Sequence, residues 1–462
     1  MKSALKSRES GLNIIIVGCG KVGMNLVEKL SLEGHNITIV DKEASHILEI
    51  TNLYDVMSVT GNGASLQTLT DAGIENADLL IAVTNSDELN LLCCTLAKRF
   101  KKCAAIARVR TPDYSIESAF LKDTLGLAMI INPELEAALE ISRILCLPSA
   151  LEVNSFAHGQ AEMISVKIPE GNVLDNMTVA ELGSKITNDI LICAVDRNDE
   201  ITIPSGSFVL KSGDKISIVA TRKSASEFFK KINFKTKQVR STLIIGGGRP
   251  AYYLASLLIR EGIEVKIIEQ SQERCDELAE LLPRSTVICG DGTDEAILKE
   301  EGIDNIESIV PLTGIDEENV MISLYAQQVS KAKVVTKINR FAFKDVISNL
   351  DLGSVVYPKN ITSEAILAYV RARQASIGSN VETLSHPFNY KVEAIEFKVS
   401  SKSKVLNIPL SQLSLKKDLL IAFISRGDKR IFPSGSDMIM EGDTVMIVTT
   451  HTGFTDIEDI LA

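Results

Sequence analysis

The chain has 462 residues, too many for one ordinary hydrophobic core, and this length indicates about two to four domains. Its hydrophobic content of 45% and its charged content of 24% are those of globular proteins, which excludes the disordered and fibrous classes. The net charge of −11 argues against nucleic-acid binding, because contact with phosphates needs an electropositive face.

The N-terminal segment and the cysteines indicate a protein of the reducing cytoplasm. Residues 1–11 are polar and no isolated apolar core follows them, so we expect no signal peptide. No apolar run reaches the roughly 18–20 residues of a membrane-spanning helix. The eight cysteines and five histidines show no metal-ligand spacing, so we expect reduced, mostly buried thiols and no metal site.

Predicted strands and helices alternate over residues 12–132. Short β-branched runs predict strands at residues 13–17, 36–40, 56–60, 79–84, 103–109 and 128–132. Segments with helical periodicity lie between them, at residues 21–33, 45–52, 65–72 and 88–99. Such alternation forms βαβ units, so we expect a Rossmann-like, doubly wound α/β lobe whose parallel sheet is covered on both faces.

The pattern changes after Pro133. A helix is predicted at residues 134–145. Beyond it, strands at residues 161–168, 191–195 and 215–220 and a short helix at 179–182 indicate a small, β-rich α+β module. The lysine-rich segment that follows contains three aromatic residues, which we expect to dock it: Phe228, Phe229 and Phe234.

The whole plan then repeats after 228 or 229 residues. Gly18 matches Gly246 and Asp41 matches Glu269, and later the triplet of residues 61–63 matches that of residues 290–292. We therefore predict two copies of one two-lobed unit. The predicted segments are residues 12–133 (first large lobe), 134–148 (crossover helix), 149–222 (first small lobe), 223–240 (linker), 241–358 (second large lobe), 359–389 (crossover helix and linker) and 390–462 (second small lobe).

The sharpest chemical motif is the glycine loop after the first predicted strand. It reads Gly18-Cys19-Gly20-Lys21-Val22-Gly23 and opens a predicted helix, whose N-terminal N–H groups suit a pyrophosphate. Asp41 ends the next strand, where a carboxylate accepts hydrogen bonds from ribose hydroxyls and repels a 2′-phosphate. The loop therefore favours NAD(H) or another adenosine without a 2′-phosphate. The alternative is a glycine turn that only packs the helix on the strand.

The second glycine loop is less regular. It carries Gly246, Gly248, Arg249 and Ala251, and Glu269 keeps the acidic position. Pro250 suits a first helical turn but removes one N–H donor, for which the charge of Arg249 could compensate. Both a binding site and a degenerate, structural copy fit this sequence.

Further candidates stand at the carboxyl ends of strands, where open α/β sheets bind ligands. In the first copy they are Gly61, Asn62, Gly63, Thr84, Asn85, Arg108 and Arg110, and in the second copy Asp291. An arginine close to a glycine loop is suited to clamp a phosphate, and the alternative is an ordinary surface arginine.

Catalytic machinery is not evident. A dehydrogenase needs a proton donor or acceptor near the nicotinamide, and no histidine follows a strand end that would face it. Cys19 in the loop is either a reactive thiol at a helix N-terminus or an ordinary variable position. We therefore favour a nucleotide sensor, in which ligand binding biases the arrangement of linked lobes, over an NAD-dependent oxidoreductase or redox sensor.

Several motifs resemble those of RCK (KTN) domains, the cytoplasmic regulators of potassium channels and transporters. They are IIIVGCGKVG, ITIVDKE, GNG, ADLLIAVTNSDELN, ARVRTPDY and the IPSGS and GDKISIVA runs of the small module. The tandem arrangement is similar to that of the peripheral regulatory subunits of Trk-type potassium-uptake systems. The resemblance implies RCK large and small lobes, binding of NAD(H) and of ATP or ADP, and a homo-oligomeric, tetrameric ring on a membrane-embedded potassium-translocating subunit at the cytoplasmic face.

The resemblance also assigns residues. It implies that Gly18, Gly20, Lys21, Val22 and Gly23 contact phosphates, that Asp41, with Lys42 beside it, contacts the ribose, and that Asn62 and Thr84 line the pocket. Arg108 and Arg110 would approach phosphates or a neighbouring subunit. The chain departs from the family at Asn62, where an acidic residue is usual, and this leaves the ligand preference of the first copy open.

Overall fold

A computed structural model describes residues 11–100, 103–187, 189–234, 237–339, 350, 352–374, 379–427 and 429–462. Residues 1–10 of the predicted polar N-terminus and residues 375–378 of the second predicted crossover segment lie outside them. The chain divides into two compact units. The first reaches to Glu136 and includes Pro358–Ser363, and the second holds Ala137–Tyr357 and Glu364–Ala462.

The first unit is a six-stranded, wholly parallel sheet with helices between its strands. Its strands are β1 (Asn13–Val17), β2 (Asn36–Asp41), β3 (Met57–Thr60), β4 (Leu79–Ala82), β5 (Ala104–Arg108) and β6 (Met129–Ile131). Its helices are α1 (Lys21–Leu32), α2 (Ala44–Leu53), α3 (Leu66–Asp71), α4 (Asp87–Ala97), α5 (Pro112–Ile116) and α6 (Ser118–Leu125). The strand order β3-β2-β1-β4-β5-β6 is the doubly wound order that the alternation predicts.

The burial of the strands explains this sheet. All four residues of β4 and the last four of β1 are buried, as continuous apolar runs in a two-sided parallel sheet should be, whereas the edge strand β3 is mostly exposed. Helices α5 and α6 were not predicted, because each is too short to show a helical period. Pro112 starts α5 and a left-handed Gly126 ends α6.

The second unit begins with an antiparallel five-stranded sheet. Helix α7 (Pro133–Cys146) leads to strands β7 (Glu152–Phe156), β8 (Ala161–Lys167), β9 (Ile190–Arg197), β10 (Glu200–Thr202) and β11 (Lys215–Ala220), with helix α8 (Val179–Lys185). Helix α9 (Arg222–Lys231) occupies much of the predicted linker. It forms because Thr221 caps it and because Phe228 and Phe229 are completely buried.

The second large lobe repeats the first. Its strands are β12 (Ser241–Ile245), β13 (Glu264–Glu269), β14 (Thr286–Cys289), β15 (Ser308–Pro311), β16 (Lys333–Lys337) and β17 (Ser354–Val356), in the equivalent order. Its helices are α10 (Arg249–Arg260), α11 (Gln272–Leu281), α12 (Glu295–Glu300) and α13 (Asp316–Val329). The duplication seen in the sequence is thus a duplication of fold.

The last lobe is a second antiparallel sheet. Helix α14 (Pro358–Gln374) precedes β18 (Ser379–Ser385), helix α15 (Pro387–Tyr390), β19 (Glu393–Val399), β20 (Leu419–Arg426), β21 (Lys429–Ile431) and β22 (Thr444–Thr449). Short 3-10 turns lie at Ile74–Asn76, Ala157–Gly159, Leu410–Gln412 and Ile457–Ile460. No helix in the described ranges has the length and apolarity that a bilayer crossing requires.

The two small lobes share one apolar core within the second unit. Phe156 and Met163 of the first sheet and Ala394, Phe423 and Met446 of the second belong to a single buried cluster. The backbone N–H of Ala157 also donates a 2.6 Å hydrogen bond to the buried carboxylate of Glu396. Burial of large apolar side chains is the main stabilising term here, and the hydrogen bond fixes the register of the contact.

Candidate nucleotide-binding sites

The first glycine loop joins β1 to α1, and its three glycines serve different purposes. Gly18 has a positive φ of 106°, and a Cβ there would lie 2.9 Å from the Thr84 nitrogen. A Cβ at Gly23 would lie 2.0 Å from the Gly18 carbonyl oxygen, so this glycine allows the helix to approach the strand. A Cβ at Gly20 would meet no atom within 4 Å. The space beside Gly20 is therefore open to a ligand.

The N-terminus of α1 is suited to an anion. Gly20 is its N-cap, no side chain caps it, and the first turn carries no acidic residue. The first N–H groups of the helix, with the positive end of its dipole, are therefore available to a phosphate. Lys21 is exposed beside them. Val22 is buried, so only its backbone can face a ligand.

Asp41, the last residue of β2, holds the glycine loop in place. Its Oδ2 accepts a 2.6 Å hydrogen bond from the backbone N–H of Cys19, and its Oδ1 accepts a 2.9 Å bond from the N–H of Glu43. The imidazole of His46 lies 3.8 Å from Oδ2. His46 was not predicted as part of the site, because it lies in helix α2 and only the fold shows that this helix packs beside β2. Lys42 points into solvent.

The thiol of Cys19 is almost completely buried. Burial, with the nearby Asp41 carboxylate and its hydrogen bond to the thiol, raises the pKa of Cys19 to about 12. At neutral pH the group is a thiol, and the thiolate is the nucleophilic form. The alternative of a reactive cysteine in the loop therefore has no support in the geometry.

The turn after β3 contributes Gly61, Asn62 and Gly63. A Cβ at Gly63 would lie 2.2 Å from the Val17 side chain, so this turn packs directly against the end of β1. Asn62 is exposed, and its Oδ1 accepts a 3.0 Å hydrogen bond from the N–H of Ala64. The fold thus brings this turn close to the strand that leads into the glycine loop.

Asn90 on α4 braces the turn after β4, a role that the sequence analysis missed. Its Oδ1 accepts hydrogen bonds from the N–H of Thr84, at 2.8 Å, and from the Thr84 hydroxyl, at 2.7 Å. Its amide donates to the carbonyl of Arg108 at 2.9 Å, and the residue is completely buried. Its match to Asn319 in the repeat was the signal available in the sequence.

Both candidate arginines reach the same turn. The Arg108 guanidinium donates to the Thr84 carbonyl and lies 3.4 Å from the Asn85 side-chain oxygen. Arg110 donates to the Asn85 carbonyl and pairs with Asp87. Because Thr84 also contacts Gly18, these cations lie on the turn that borders the glycine loop.

Asp87 anchors this arrangement as a buried carboxylate. Burial acts to raise its pKa, but hydrogen bonds from the Arg110 N–H and from Thr111, with the charge of Arg110, outweigh burial and lower the pKa. The Thr111 hydroxyl and N–H each donate to it at 2.8 Å. Asp87 is therefore charged at neutral pH and fixes the chain that carries Arg110.

The second large lobe rebuilds the same loop. Gly246 has a φ of 97°, and Glu269 at the end of β13 accepts hydrogen bonds from the N–H groups of Gly247, at 2.6 Å, and Ser271, at 2.8 Å. Gly248 is the N-cap of α10, and Pro250 lies in its first turn as predicted. Ala251 is completely buried, so this helix packs closely on the sheet.

The second site differs in its charged groups. Arg249 is exposed, and Arg274 donates a 2.7 Å hydrogen bond from Nε to the Gly247 carbonyl. Asp291 accepts hydrogen bonds from the N–H and hydroxyl of Thr293, which lower its pKa. Lys337, in the position equivalent to Arg108, donates to the Leu312 carbonyl at 3.0 Å.

Both halves of the chain match models of known domain families. The model of the TrkA-N domain matches residues 14–133 and 242–358, and that of the TrkA-C domain matches residues 163–233 and 394–462. The chain is 31% identical to Trk system potassium uptake protein TrkA homolog 1 of Methanosarcina mazei, over 97% of this chain and 99% of that protein. It is 30% identical to Trk system potassium uptake protein TrkA of Haemophilus influenzae, over 94% of this chain and 95% of that protein.

Solved structures share the fold at low identity. The GsuK channel bound to NAD superposes with a TM-score of 0.63 at 16% identity, over 96% of this chain and 77% of that one. The GsuK RCK domain gives the same score and identity over 96% of this chain and 93% of that one. The predicted fold, two Rossmann-like lobes each followed by a small RCK lobe, is confirmed.

Proposed function

The chain belongs to the TrkA family, and from this premise we propose that it is a nucleotide-binding regulatory subunit of a potassium-uptake system, not an enzyme. Its relatives in M. mazei and H. influenzae are named as potassium uptake proteins of the Trk system. Because the alignments cover almost the full length of this chain and of those relatives, we transfer the role of the whole relative to this chain.

The observation that carries the proposal is the open N-terminus of α1 beside the Asp41 carboxylate. The space next to Gly20 admits a pyrophosphate, which the first N–H groups of α1 would bind. Asp41 would accept hydrogen bonds from ribose hydroxyls and would repel a 2′-phosphate. The ligands that fit are NAD(H) and the adenine nucleotides ATP and ADP, and NADP fits less well.

The second loop would bind the same class of ligand. Glu269 holds Gly247 as Asp41 holds Cys19, which supports an equivalent ribose site. Pro250 removes one N–H from the phosphate side, and the exposed guanidinium of Arg249 supplies a positive charge there. Two sites of unequal affinity follow from this difference.

Regulation would act through the arrangement of the lobes. A ligand that binds two arrangements with different affinity shifts the equilibrium between them, and a homo-oligomeric ring would pass this shift to a membrane-embedded potassium-translocating partner. The first large lobe supports such assembly, because α5 and α6 present Ile116 and Phe120 with 81% and 65% of their surface exposed. The chain would thus work at the cytoplasmic face of the membrane.

An NAD-dependent oxidoreductase is the competing function. His46 is the histidine that lies against Asp41, at the position of the ribose and not of a reacting nicotinamide. Cys19 is a buried thiol. Among the described residues no group of histidine, cysteine and acidic side chains could hold a metal ion. These features support regulation over redox catalysis.

Potassium uptake in cells tests the proposal. Cells that lack this chain should lose uptake at low external potassium, and the wild-type chain should restore it. The Asp41→Ala variant should restore it poorly, and Asp55→Ala, which removes an exposed carboxylate of the same lobe, should restore it fully. Unchanged uptake in the deletion strain would refute the regulatory role. Turnover of NADH by the purified chain with a small-molecule substrate would favour the oxidoreductase.

A further inference from the structure

Two cysteines lie together at the edge of the second large lobe that carries Glu269. Cys275 is in the first turn of α11, and Cys289 is the last residue of β14, paired across the sheet with Glu269. The Cys275 thiol lies 3.3 Å from the Glu269 carbonyl oxygen, and the Cys289 thiol lies 3.8 Å from the carbonyl oxygen of Gln270. The Cys275 sulfur also lies 4.0 Å from the carbonyl oxygen of Ile288, the residue before Cys289, so both thiols approach the same stretch of backbone at the ends of β13 and β14.

The fold does not need this pair. The first large lobe builds the same strands and helices with Ile47 and Thr60 at the equivalent positions. Cys275 is only 5% exposed and is packed like Ile47 in the first lobe, whereas Cys289 is exposed to solvent. An exposed thiol close to a buried one is the arrangement of an oxidisable cysteine with a resolving partner.

We infer that Cys275 and Cys289 form a reversible redox modification site, oxidised to a disulfide by a peroxide and reduced again by a dithiol. The Cys289 sulfur attacks one oxygen of hydrogen peroxide, the O–O bond breaks, and the sulfur becomes a sulfenic acid as one water leaves. The Cys275 sulfur then attacks that sulfur, the S–O bond breaks and the second water carries away the thiol proton. Two thiols are oxidised and one peroxide is reduced to two waters.

The environment assigns the order of the two steps. Burial, the contact with Cys289 and the charges of Glu269 and Asp276 raise the pKa of Cys275 to about 11. Cys275 is therefore a thiol at neutral pH and reacts second, while the exposed Cys289 meets the oxidant first. Because both thiols lie against the carbonyl groups of Glu269 and Gln270, we expect closure of the S–S bond to require a local movement of α11 and no refolding of the lobe.

The disulfide would change the second nucleotide site, and this part of the inference rests on the proposed function. It would tie α11 to β14 beside Glu269 and next to the turn of Gly290 and Asp291. A nucleotide bound there would cover Cys289 and slow its oxidation. Independently of this shielding, the disulfide would shift the end of β13 that carries Glu269, and we expect oxidised protein to bind nucleotide about fivefold more weakly or worse.

Disulfide mapping of the full chain tests the site. Wild-type protein is treated with hydrogen peroxide, alkylated, digested without reductant and analysed by mass spectrometry. We expect a linked Cys275–Cys289 peptide that dithiothreitol abolishes, in wild type and in Cys146→Ser, which removes a half-buried thiol elsewhere. We expect none in Cys289→Ser or in Cys289→Thr, which copies the first lobe. Absence of the linked peptide from folded wild-type protein overturns the inference.

A second arm separates the coupling from the chemistry. Oxidation is timed with and without saturating NADH or ADP, and reduced and oxidised protein are titrated with the same nucleotides. We expect oxidised protein to bind the nucleotide at least about fivefold more weakly than reduced protein, and linked peptide to form more slowly when nucleotide is bound. Equal affinities of the reduced and oxidised protein overturn the coupling. Failure of the reduced chain to bind either nucleotide refutes the proposed function and leaves the disulfide of the first arm established.

Discussion

Asp41 accepts a 2.6 Å hydrogen bond from the backbone N–H of Cys19, and this contact ties the end of β2 to the glycine loop. Glu269 makes the equivalent contact with Gly247 at the same distance. The carboxylate therefore orients the loop as well as offering acceptors to a ribose. A substitution of Asp41 should affect ligand binding more than folding, because the apolar side chains of β2 are buried independently of the carboxylate.

Replacing Asp41 by alanine should weaken nucleotide binding to the first lobe about 10-fold to 100-fold. The change removes charge-assisted hydrogen bonds, each worth about 1.5–3 kcal/mol. Calorimetric titration with NADH and with ADP, in a Glu269→Ala background so that only the first site reports, measures the effect. Asp55→Ala in the same background is the control, and equal affinities of the two variants would contradict the assignment.

Glycine substitutions should separate binding from stability. Gly20→Ala should lower nucleotide affinity about tenfold or more, because the new Cβ occupies the space in which backbone approaches the pyrophosphate, and should leave the unfolding midpoint unchanged. Gly18→Ala should destabilise the lobe by about 1–3 kcal/mol, because its φ of 106° and the contact with Thr84 exclude a side chain. Titration and thermal unfolding of both variants check this contrast, and a reversed order would refute it.

A buried charge cluster joins helix α14 and the segment after it to the second small lobe. The His386 ring lies 3.3 Å from Glu364 and 3.4 Å from Glu393, and Arg371 pairs with Glu393 at 3.0 Å. Burial acts to lower the pKa of His386, but the hydrogen bonds that its ring donates to the two glutamates, together with their negative charges, outweigh burial and raise the pKa above the usual 6.5. Arg371 neutralises the charge of Glu393, and the protonated imidazole of His386 neutralises that of Glu364.

His386→Gln should destabilise the protein more at low pH than at high pH. A group whose pKa is raised by folding contributes its full stability below the unfolded value of about 6.5, and the contribution is lost as pH rises through the folded value. We expect the variant to unfold about 2–4 °C below wild type at pH 6, the shift that corresponds to about 1 kcal/mol, with a smaller difference at pH 9. Thermal scans at both pH values measure this, and a difference independent of pH would exclude the ionic role.

Replacing Ile116 and Phe120 by serine should reduce the mass of the assembly. These side chains on α5 and α6 are exposed in the single chain, and we propose that a neighbouring copy covers them. Light scattering after size-exclusion chromatography measures the mass. Leu48→Ser on α2 is the matched control, because Leu48 is 62% exposed in the same lobe. An unchanged mass for the double variant would place the contact elsewhere.

Local patterns were enough for much of the fold. The strand β1, the glycine loop and the start of α1 follow from a buried apolar run, a turn that requires glycine at Gly18 and a helical period, all encoded within about 20 residues. The repeat then predicted the second large lobe. Helices α5 and α6 escaped prediction because they are too short to show a helical period, and strands β7 and β10 because they carry polar residues where the predicted strands carry an apolar run.

The sequence by itself therefore determined the duplication, the parallel sheets, the two glycine loops and the acidic residues that end β2 and β13. Only the tertiary structure decided that Asn90 on α4 binds the carbonyl of Arg108 at the end of β5, that the two small lobes share one core around Phe423, and that Cys275 lies close to Cys289. The physical reason is the separation along the chain of the residues that make each contact. Turns and periods depend on neighbours along the chain, whereas these contacts join residues that meet only after the strands have paired and the helices have packed on them.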